Sequence, residues 1–479
     1  MNAVLEVNMP EPARMVHALS QIGYRLEDAI SDLVDNSITA GASTVLIRFM
    51  HDGERLISVA IADDGLGMTE RQLGKSMRFG SPADTRENTL GKFGMGLKLA
   101  SLSHSTDFTV FSKRNGKAVA KRWSTENIAA GWMCETRPPQ EAKDTFEKRW
   151  ANMDHSSAGT IVVWNQLKEM PSHKRGARSA LGIIERKLRL HLGLTFHRFL
   201  QDGRLAIKMD QQLVNHRIKS FNVSIPPLDP FAYDSSGDSR YPLKMSSGPL
   251  DGIGHLKFEA HIWPPKSEAP EYRLGRRASS YQGLFIYRND RLIQSGGWNG
   301  LVNDESEPHS SLARIKLDLP IELDGYFNLN VQKSAIVTPL GFEEAMIGAR
   351  SSSGIGWEDF RKNAIGAYRQ GENSSAVRDV MPGRGFPKAL AKAYRSQGGL
   401  RVSLKIELDM DEPLKIDLVE RSLHVDQSFV DSLGGEYSKG WEVFLLMLFQ
   451  LVRPEFNRKT LSNAVKAKLD SLLEILARL

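Results

Sequence analysis

The stretch "SDLVDNSITAG", residues 31 to 41, places Asp32, Asp35 and Asn36 inside a segment that otherwise reads as a buried helix. Acids this close together on one helix cost stability unless a cation, a water or a hydrogen-bond partner engages them. Leu19, Ile22, Leu26, Ile30, Leu33 and Val34 form an apolar stripe at helical spacing, which predicts a helix over residues 12 to 37. Asp32 and Asn36 are four residues apart and project from one face of it. Asp35 points elsewhere and is expected to support local hydrogen bonding.

Two short β-type runs follow, "STVLIRFM" (43–50) and "RLISVAIADDG" (55–65). The alternation of the second breaks at Asp63 and Asp64, where the chain must turn. Residues 69 to 90 are polar and poorly periodic, and predict a mobile loop. "GKFGMGLKLASLSHS" (91–105) is a glycine-rich turn entering a helix. "TDFTVFSKRNGKAVAKRWS" (106–124) reads as a hairpin turning at Asn115-Gly116. "GTIVVWNQL" (159–167) is a further strand.

Beyond this block the pattern predicts a helix over 178–201, strands near 203–214, and a Pro/Ser/Gly-rich insertion at 225–250. A polar-tipped hairpin is expected at 282–298, a strand at 313–320, and mainly helix at 341–370. "MPGRGFP" (381–387) looks like a linker, and the tail reads strand, strand, helix. The expected division is 1–170, 171–340, a connector at 341–395, and an α/β region at 396–479.

At 479 residues the chain exceeds one ordinary core. Its single cysteine, Cys134, excludes a disulfide framework or a four-cysteine zinc site and suits a reducing cytoplasm. The start has no basic segment followed by an apolar core, so no signal peptide is expected. The apolar run "FLLMLFQLV" (444–452) is too short to span a bilayer, and no membrane association is expected. The net charge of +6, spread over a long chain, permits contact with nucleic acid without arguing for it.

Three elements carry chemistry. The carboxylate of Asp32 and the amide of Asn36 share a face on which a water and a hard cation such as Mg²⁺ can be held through oxygen. "DDGLGM" (63–68) supplies Asp63, a carboxylate able to accept an exocyclic amine, with Gly65 and Gly67 allowing close approach and Met68 able to pack on a planar base. Gly91, Phe93, Gly94, Met95, Gly96, Leu97 and Lys98 surround a helix N-terminus whose bare N–H groups form an anion site. Each piece alone is common. In this order they read as sites for a cation, a base and phosphates, hence a purine nucleotide.

On these residues the sequence resembles the GHKL ATPases: gyrase B, the 90-kDa heat-shock chaperones, histidine kinases and MutL. "DLVDN" matches the first box through Asp32 and Asn36. D-x-G-x-G is Asp63, Gly65 and Gly67; G-x-x-G-x-G is Gly91, Gly94 and Gly96; and a later Gly-Thr is Gly159 and Thr160. The resemblance implies an α+β fold: a Bergerat-type α/β sandwich, its mixed sheet covered on one face by helices, then an S5-like transducer and a small C-terminal α/β region. It implies ATP and Mg²⁺, with Asn36 on the metal and Asp63 on adenine N6. Thr160 would support that carboxylate, Gly94 and Gly96 would cradle the phosphates with Lys98 nearby, and residues 69–90 would form a lid. Asp32 would be the base orienting the attacking water. Hydrolytic members usually carry Glu there; Asp is one methylene shorter, which implies slow hydrolysis.

The kinase branch fits poorly, because its ATPase unit follows a phosphoacceptor hairpin and its first box carries Asn at the position of Asp32. "FNLNVQKSAI" (327–336) offers Lys333 as the lysine that gyrase-like proteins return to the γ-phosphate, and "IYRNDRLIQSGGW" (286–298) resembles the second domain of the microrchidia (MORC) ATPases. The implied activity is an ATPase acting as an ATP-dependent homodimeric clamp. Double-stranded DNA is one candidate for what it holds, given the basic stretches 112–122, 173–178 and 273–277. The alternatives are a chaperone-like or signalling ATPase with a protein partner, and a nucleotide-binding switch with little hydrolysis.

Overall fold

The computed structural model describes residues 11–21, 23–79, 95–148, 150, 153–168, 177–214, 223–275, 277–302, 307–329, 336–373, 380–387, 390, 400–436, 438–458 and 460–476. The fold is α+β, and the chain divides into two compact units, Met1–Arg369 and Gln370–Leu479.

The first unit opens with α1 (Pro12–Ser20) and α2 (Leu26–Thr39), then β1 (Thr44–His51), β2 (Leu56–Asp63) and α3 (Glu70–Met77). The single helix expected over 12–37 is broken before α2, where Gly23 takes a left-handed φ of 68°. The break turns Tyr24 inward, and only 6% of it stays exposed. The polar pattern predicts a loop from residue 69, yet α3 begins there with a capping box. Thr69 Oγ1 accepts from Gln72 N–H, and the Gln72 side chain accepts from Thr69 N–H.

The chain continues through α4 (Gly96–His104), β3 (Ser105–Arg114), β4 (Lys117–Ser124), α5 (Thr125–Ala129), β5 (Glu135–Thr136), α6 (Pro139–Glu147) and β6 (Gly159–Leu167). Next come α7 (Ala177–Thr195), α8 (His197–Gln201), β7 (Ala206–Leu213) and β8 (Val223–Ser224). The eight strands form one sheet in the order β5-β4-β3-β6-β2-β1-β7-β8. It is antiparallel except at β1/β7. That parallel pair is pinned by a buried two-pronged ion pair, with Arg48 Nε and Nη2 donating to Asp210 at 2.8 and 2.7 Å.

Strand alternation sorts the side chains between two layers. Val45, Ile47 and Phe49 of β1 and Val59 and Ile61 of β2 pack with α2, α4 and α7. Leu46, Ala60 and Ala62 point the other way, onto Ala142, Phe146 and Trp150. The second face is therefore covered in part by α6, where the resemblance implied helices on one face only. The apolar residues Ala142 and Phe146 lie four apart and give α6 a stripe to bury.

A second sheet lies in the same unit. Its strands are β9 (Leu243–Ser246), β10 (Lys257–Ile262), then, after α9 (Pro270–Arg273), β11 (Gly283–Arg288), β12 (Arg291–Ser295) and β13 (Ala313–Asp318). A two-stranded ribbon, β14 (Asn328–Leu329) with β15 (Ile336–Val337), precedes α10 (Phe342–Ile347), β16 (Arg350–Ser351) and α11 (Trp357–Asn373). The order is β12-β11-β13-β10-β9-β16, with β11/β13 parallel. Its core includes Trp263, Trp298, Trp357 and Phe360. The Pro/Ser/Gly-rich segment expected as an insertion thus delivers β9 into this sheet.

The second unit has β17 (Val380–Pro382), β18 (Leu400–Glu407), β19 (Leu414–Asp417) and β20 (Ser422–Asp426), ordered β17-β18-β20-β19. Helices α12 (Gln427–Ser432), α13 (Lys439–Val452) and α14 (Asn463–Leu476) follow. The run "FLLMLFQLV" lies in α13, which buries Trp441, Phe444, Leu445, Leu448 and Phe449 against the strands. Leu469 of α14 joins the same core. Among the described residues no helix is long and apolar enough to cross a membrane.

Candidate nucleotide site

Three neighbouring strands end their apolar columns in a polar residue at the same level. On the helix-covered face β2 reads Val59, Ile61, Asp63; β6 reads Trp164, Val162, Thr160; and β3 reads Phe108, Val110, Ser112. Register places Asp63 opposite Thr160, and Thr160 opposite Ser112. The result is a row of one carboxylate and two hydroxyls at the edge of the core beneath α2. Ser112 Oγ lies 3.1 Å from Thr160 Oγ1 and accepts from Met68 N–H at 2.8 Å.

Asp63 is 6% exposed. Its Oδ2 accepts from Ser37 Oγ of α2 at 2.9 Å and its Oδ1 from Gly65 N–H at 3.0 Å. Burial raises its pKa to about 6, and those two donors oppose the rise. Its neighbour Asp64 faces outward and caps the start of β1, accepting from Ser43 N–H and Thr44 N–H at 2.7 and 2.9 Å. Of the acidic pair, one is thus a tie and the other a buried acceptor. The backbone carbonyl of Asp63 is 2.9 Å from His155 Nε2, which steadies the end of β2.

Gly67 has φ of 62°, and a Cβ there would lie 1.9 Å from the carbonyl oxygen of Lys113. Only glycine fits, because the turn after β2 lies against the backbone of β3. Met68 is half-buried against the main core.

Five residues before Ser37 on α2, Asp32 is 2% exposed and accepts a hydrogen bond from the Tyr24 hydroxyl. A Cβ on Gly96 would sit 3.2 Å from Asp32 Oδ2, so the first turn of α4 lies directly over this carboxylate. That position favours negative charge. Asn36, one turn on, is exposed. Met95 and Leu97, flanking Gly96, pack partly against the core. Lys98 is 1% exposed, and its Nζ donates to the carbonyl oxygens of Ser76 and Arg78, each at 2.8 Å. In this arrangement it ties α4 to the end of α3, and burial lowers its pKa to about 8. Gly91, Phe93, Gly94 and Lys333 lie outside the described residues.

Asp35 supports more than local bonding. It is fully buried and accepts from Arg291 Nε, on the second sheet, at 2.8 Å. Beside it, Arg25 grips Asp28 with two donors at 2.7 and 2.8 Å, and His191 Nε2 lies 3.0 Å from Ser31 Oγ. Ser37, Ser112, Tyr24 and Arg291 are site residues that sequence reasoning did not single out.

The donor set fits an adenine nucleotide with a hard cation. One buried carboxylate stands in a polar row where a base edge can be read, the exposed Asn36 stands a turn from a second buried acid, and the N-terminus of α4 lies over that acid. Among the described residues no group of three or more His, Cys, Asp or Glu is placed to hold a metal ion. Magnesium does not need one, since it keeps waters and shares its ligands with phosphates.

A helix-covered mixed sheet bearing such a set of polar groups has the architecture of a nucleotide-binding α/β sandwich. Residues 24–160, less than a third of the chain, match the model of the histidine kinase-, DNA gyrase B-, and HSP90-like ATPases, and this region is similar to the ATP-binding domain of that superfamily. Relatives include the DNA mismatch repair protein MutL of Dictyoglomus thermophilum, 43% identical over 63 residues, or 13% of this chain and 11% of that one. The human MORC family CW-type zinc finger protein 1 is 33% identical over 105 residues, 21% of this chain and 10% of that one. The chain thus spans about a tenth of the length of the curated relatives it matches. A solved structure of the N-terminal domain of a DNA repair protein aligns with a TM-score of 0.43 at 16% identity, covering 76% of this chain and 99% of that one. A likeness that distant carries no argument about function.

Proposed function

We propose that the protein binds ATP with Mg²⁺ and hydrolyses it slowly, as an ATP-gated dimeric clamp that closes on double-stranded DNA inside a reducing cytoplasm. The observation that carries the ATPase part is the pair of buried acids, Asp63 under α2 and Asp32 on it, with the N-terminus of α4 beside the second. Asp63 accepts the exocyclic amine of adenine, with Ser37 and Thr160 fixing its carboxylate. Asn36 holds the metal, which when bound neutralises phosphate charge. Gly94, Gly96 and their neighbours present N–H groups to the phosphates. Asp32 orients water, with its carboxylate fixed by Tyr24.

In this reading residues 1–170 are the ATPase, 171–340 an S5-like transducer that returns Lys333 to the γ-phosphate, 341–395 a connector and 396–479 an accessory α/β region. The DNA part is supported by the names of the relatives and by the basic stretches. Within 112–122, Arg122 is already engaged by Asp107 and Glu135, so Lys117 and Arg114 at the hairpin end are the better contacts. The reading of a switch with little hydrolysis keeps one specific support: Asp32 is short, 2% exposed and bonded to Tyr24.

The test is ATP turnover with and without duplex DNA for wild type, Asp32→Asn and Lys333→Ala. Turnover that rises with DNA and loses that rise steeply with salt is expected. No retention on DNA at low salt removes the DNA clamp, and nucleotide binding without turnover leaves the switch.

A further inference from the structure

The hairpin β11–β12 turns at Asn289 and Asp290, both left-handed, with φ of 48° and 62°. This is the tight two-residue turn that keeps a hairpin rigid. Its tip is gripped on two sides by the first sheet's layer, by α8 and the turn before β7 on one side and by α2 on the other. On one side Asp290 accepts from Arg198 and Arg204 at 3.2 and 2.8 Å, and the Tyr287 hydroxyl lies 2.9 Å from His197 Nε2. On the other, Arg291 reaches α2 and donates to Asp35 at 2.8 Å. Side-chain exposure of the pair is 4% for Arg291 and 0% for Asp35.

Asp35 is three residues from Asp32 and adjacent to Asn36. A buried ion pair between a helix and a rigid hairpin adds little net stability, because desolvation offsets the attraction. It does fix geometry, since a planar guanidinium donates to a buried carboxylate in few orientations. Any rotation of α2 that moves Asp32 relative to α4 must also displace Asp35 from Arg291. Among the described residues, the other charged and titratable groups around this part of α2 include Arg25, Glu27, Asp28, His191 and Tyr24.

We infer that Arg291 is a positioning residue for ATP turnover: through Asp35 it sets the rotation of α2, and so makes the second sheet's hairpin a determinant of how Asp32 meets its water. The inference rests on the ATPase reading above. It assigns Arg291 no contact with nucleotide, so binding and turnover separate.

The experiment measures kcat, KM and the Kd of a fluorescent ATP analogue for wild type and two paired variants. Asp35→Leu/Arg291→Met replaces the pair with apolar residues of similar volume. Asp35→Asn/Arg291→Gln keeps a donor and an acceptor without charge. Pairing the substitutions avoids a buried charge stripped of this partner, and either variant that stays folded at the assay temperature suffices for the test. The expected result is a kcat at least about tenfold lower with Kd within about threefold of wild type. A folded variant with wild-type kcat overturns the coupling alone, as does a loss of kcat that merely follows a loss of binding. A wild type that binds nucleotide without turning it over defeats the ATPase reading and the coupling with it.

Discussion

Asp63 and Asp32 are both buried acids touching α2, and they are held in place by different means. Asp63 is held by groups local to one sheet and the helix on it: the Ser37 hydroxyl, the Gly65 N–H and the backbone of Thr160 on β6. Asp32 depends on elements that strand pairing does not lock together. Tyr24 reaches it from the break before α2, α4 covers it, and the helix that bears it is tied through Asp35 to a hairpin of the second sheet. In the proposed reading, recognition of the base is built into the first sheet, and turnover depends on how the second sheet's hairpin sits on α2.

The largest effect that tests this contrast is on Asp32. Asp32→Asn keeps shape and removes the base, so kcat should fall by about 10²- to 10⁴-fold. The Kd for ATP should move by less than about threefold, because the base end is fixed independently. A parallel collapse of binding, read by titration calorimetry, would show that the two ends are not separable.

The next effect concerns protons at the other end. Asp63 titrates near 6 when folded, above its ordinary value of 3.8, because burial penalises its charge. Ionised Asp63 is the better acceptor, so nucleotide affinity should rise as pH climbs through about 6 and level off above it, with a limiting slope of about tenfold per pH unit. The linked effect on folding has the opposite sign. A carboxyl with a raised folded pKa contributes stability that is fully present below about 3.8 and is lost as pH rises through about 6. Asp63→Asn should flatten both dependences and weaken ATP by about tenfold or more. Affinity that stays pH-dependent in the variant would assign the titration to another group.

How much of this was legible in the sequence divides the same way. The motif residues on α2, after β2 and before α4 lie close in sequence, and their spacing pointed to a nucleotide before any pairing was known. Alternation also showed which residues of each strand face the core. What it did not show was that Asp63, Thr160 and Ser112 stand in one row, because register between strands 48 to 97 residues apart is set by pairing rather than by any one strand. Tyr24 was hidden by reading one helix across Gly23, where a left-handed residue ends the periodicity. The partner of Asp35 is 256 residues away, and no local pattern marks Arg291 as its mate. The second unit has a well-formed core, and its strands carry no chemical signal to read.

The smallest effect sharpens the account of that row. Ser112 meets no acid directly. Its hydroxyl accepts from Met68 N–H, lies 3.1 Å from Thr160 Oγ1, and is 3.3 Å from the Gly159 carbonyl oxygen. It therefore holds the turn after β2 against β6 without touching Asp63. Ser112→Ala leaves the Met68 N–H without this acceptor, at a cost of about 1 kcal/mol in stability. Nucleotide affinity should weaken only about two- to fivefold, with the pH midpoint near 6 unchanged because the carboxylate keeps Ser37 and Gly65. A shifted midpoint in the same titration would mean that Ser112 acts on Asp63 through Thr160, and the three residues would then form one coupled chain rather than an acid beside a brace.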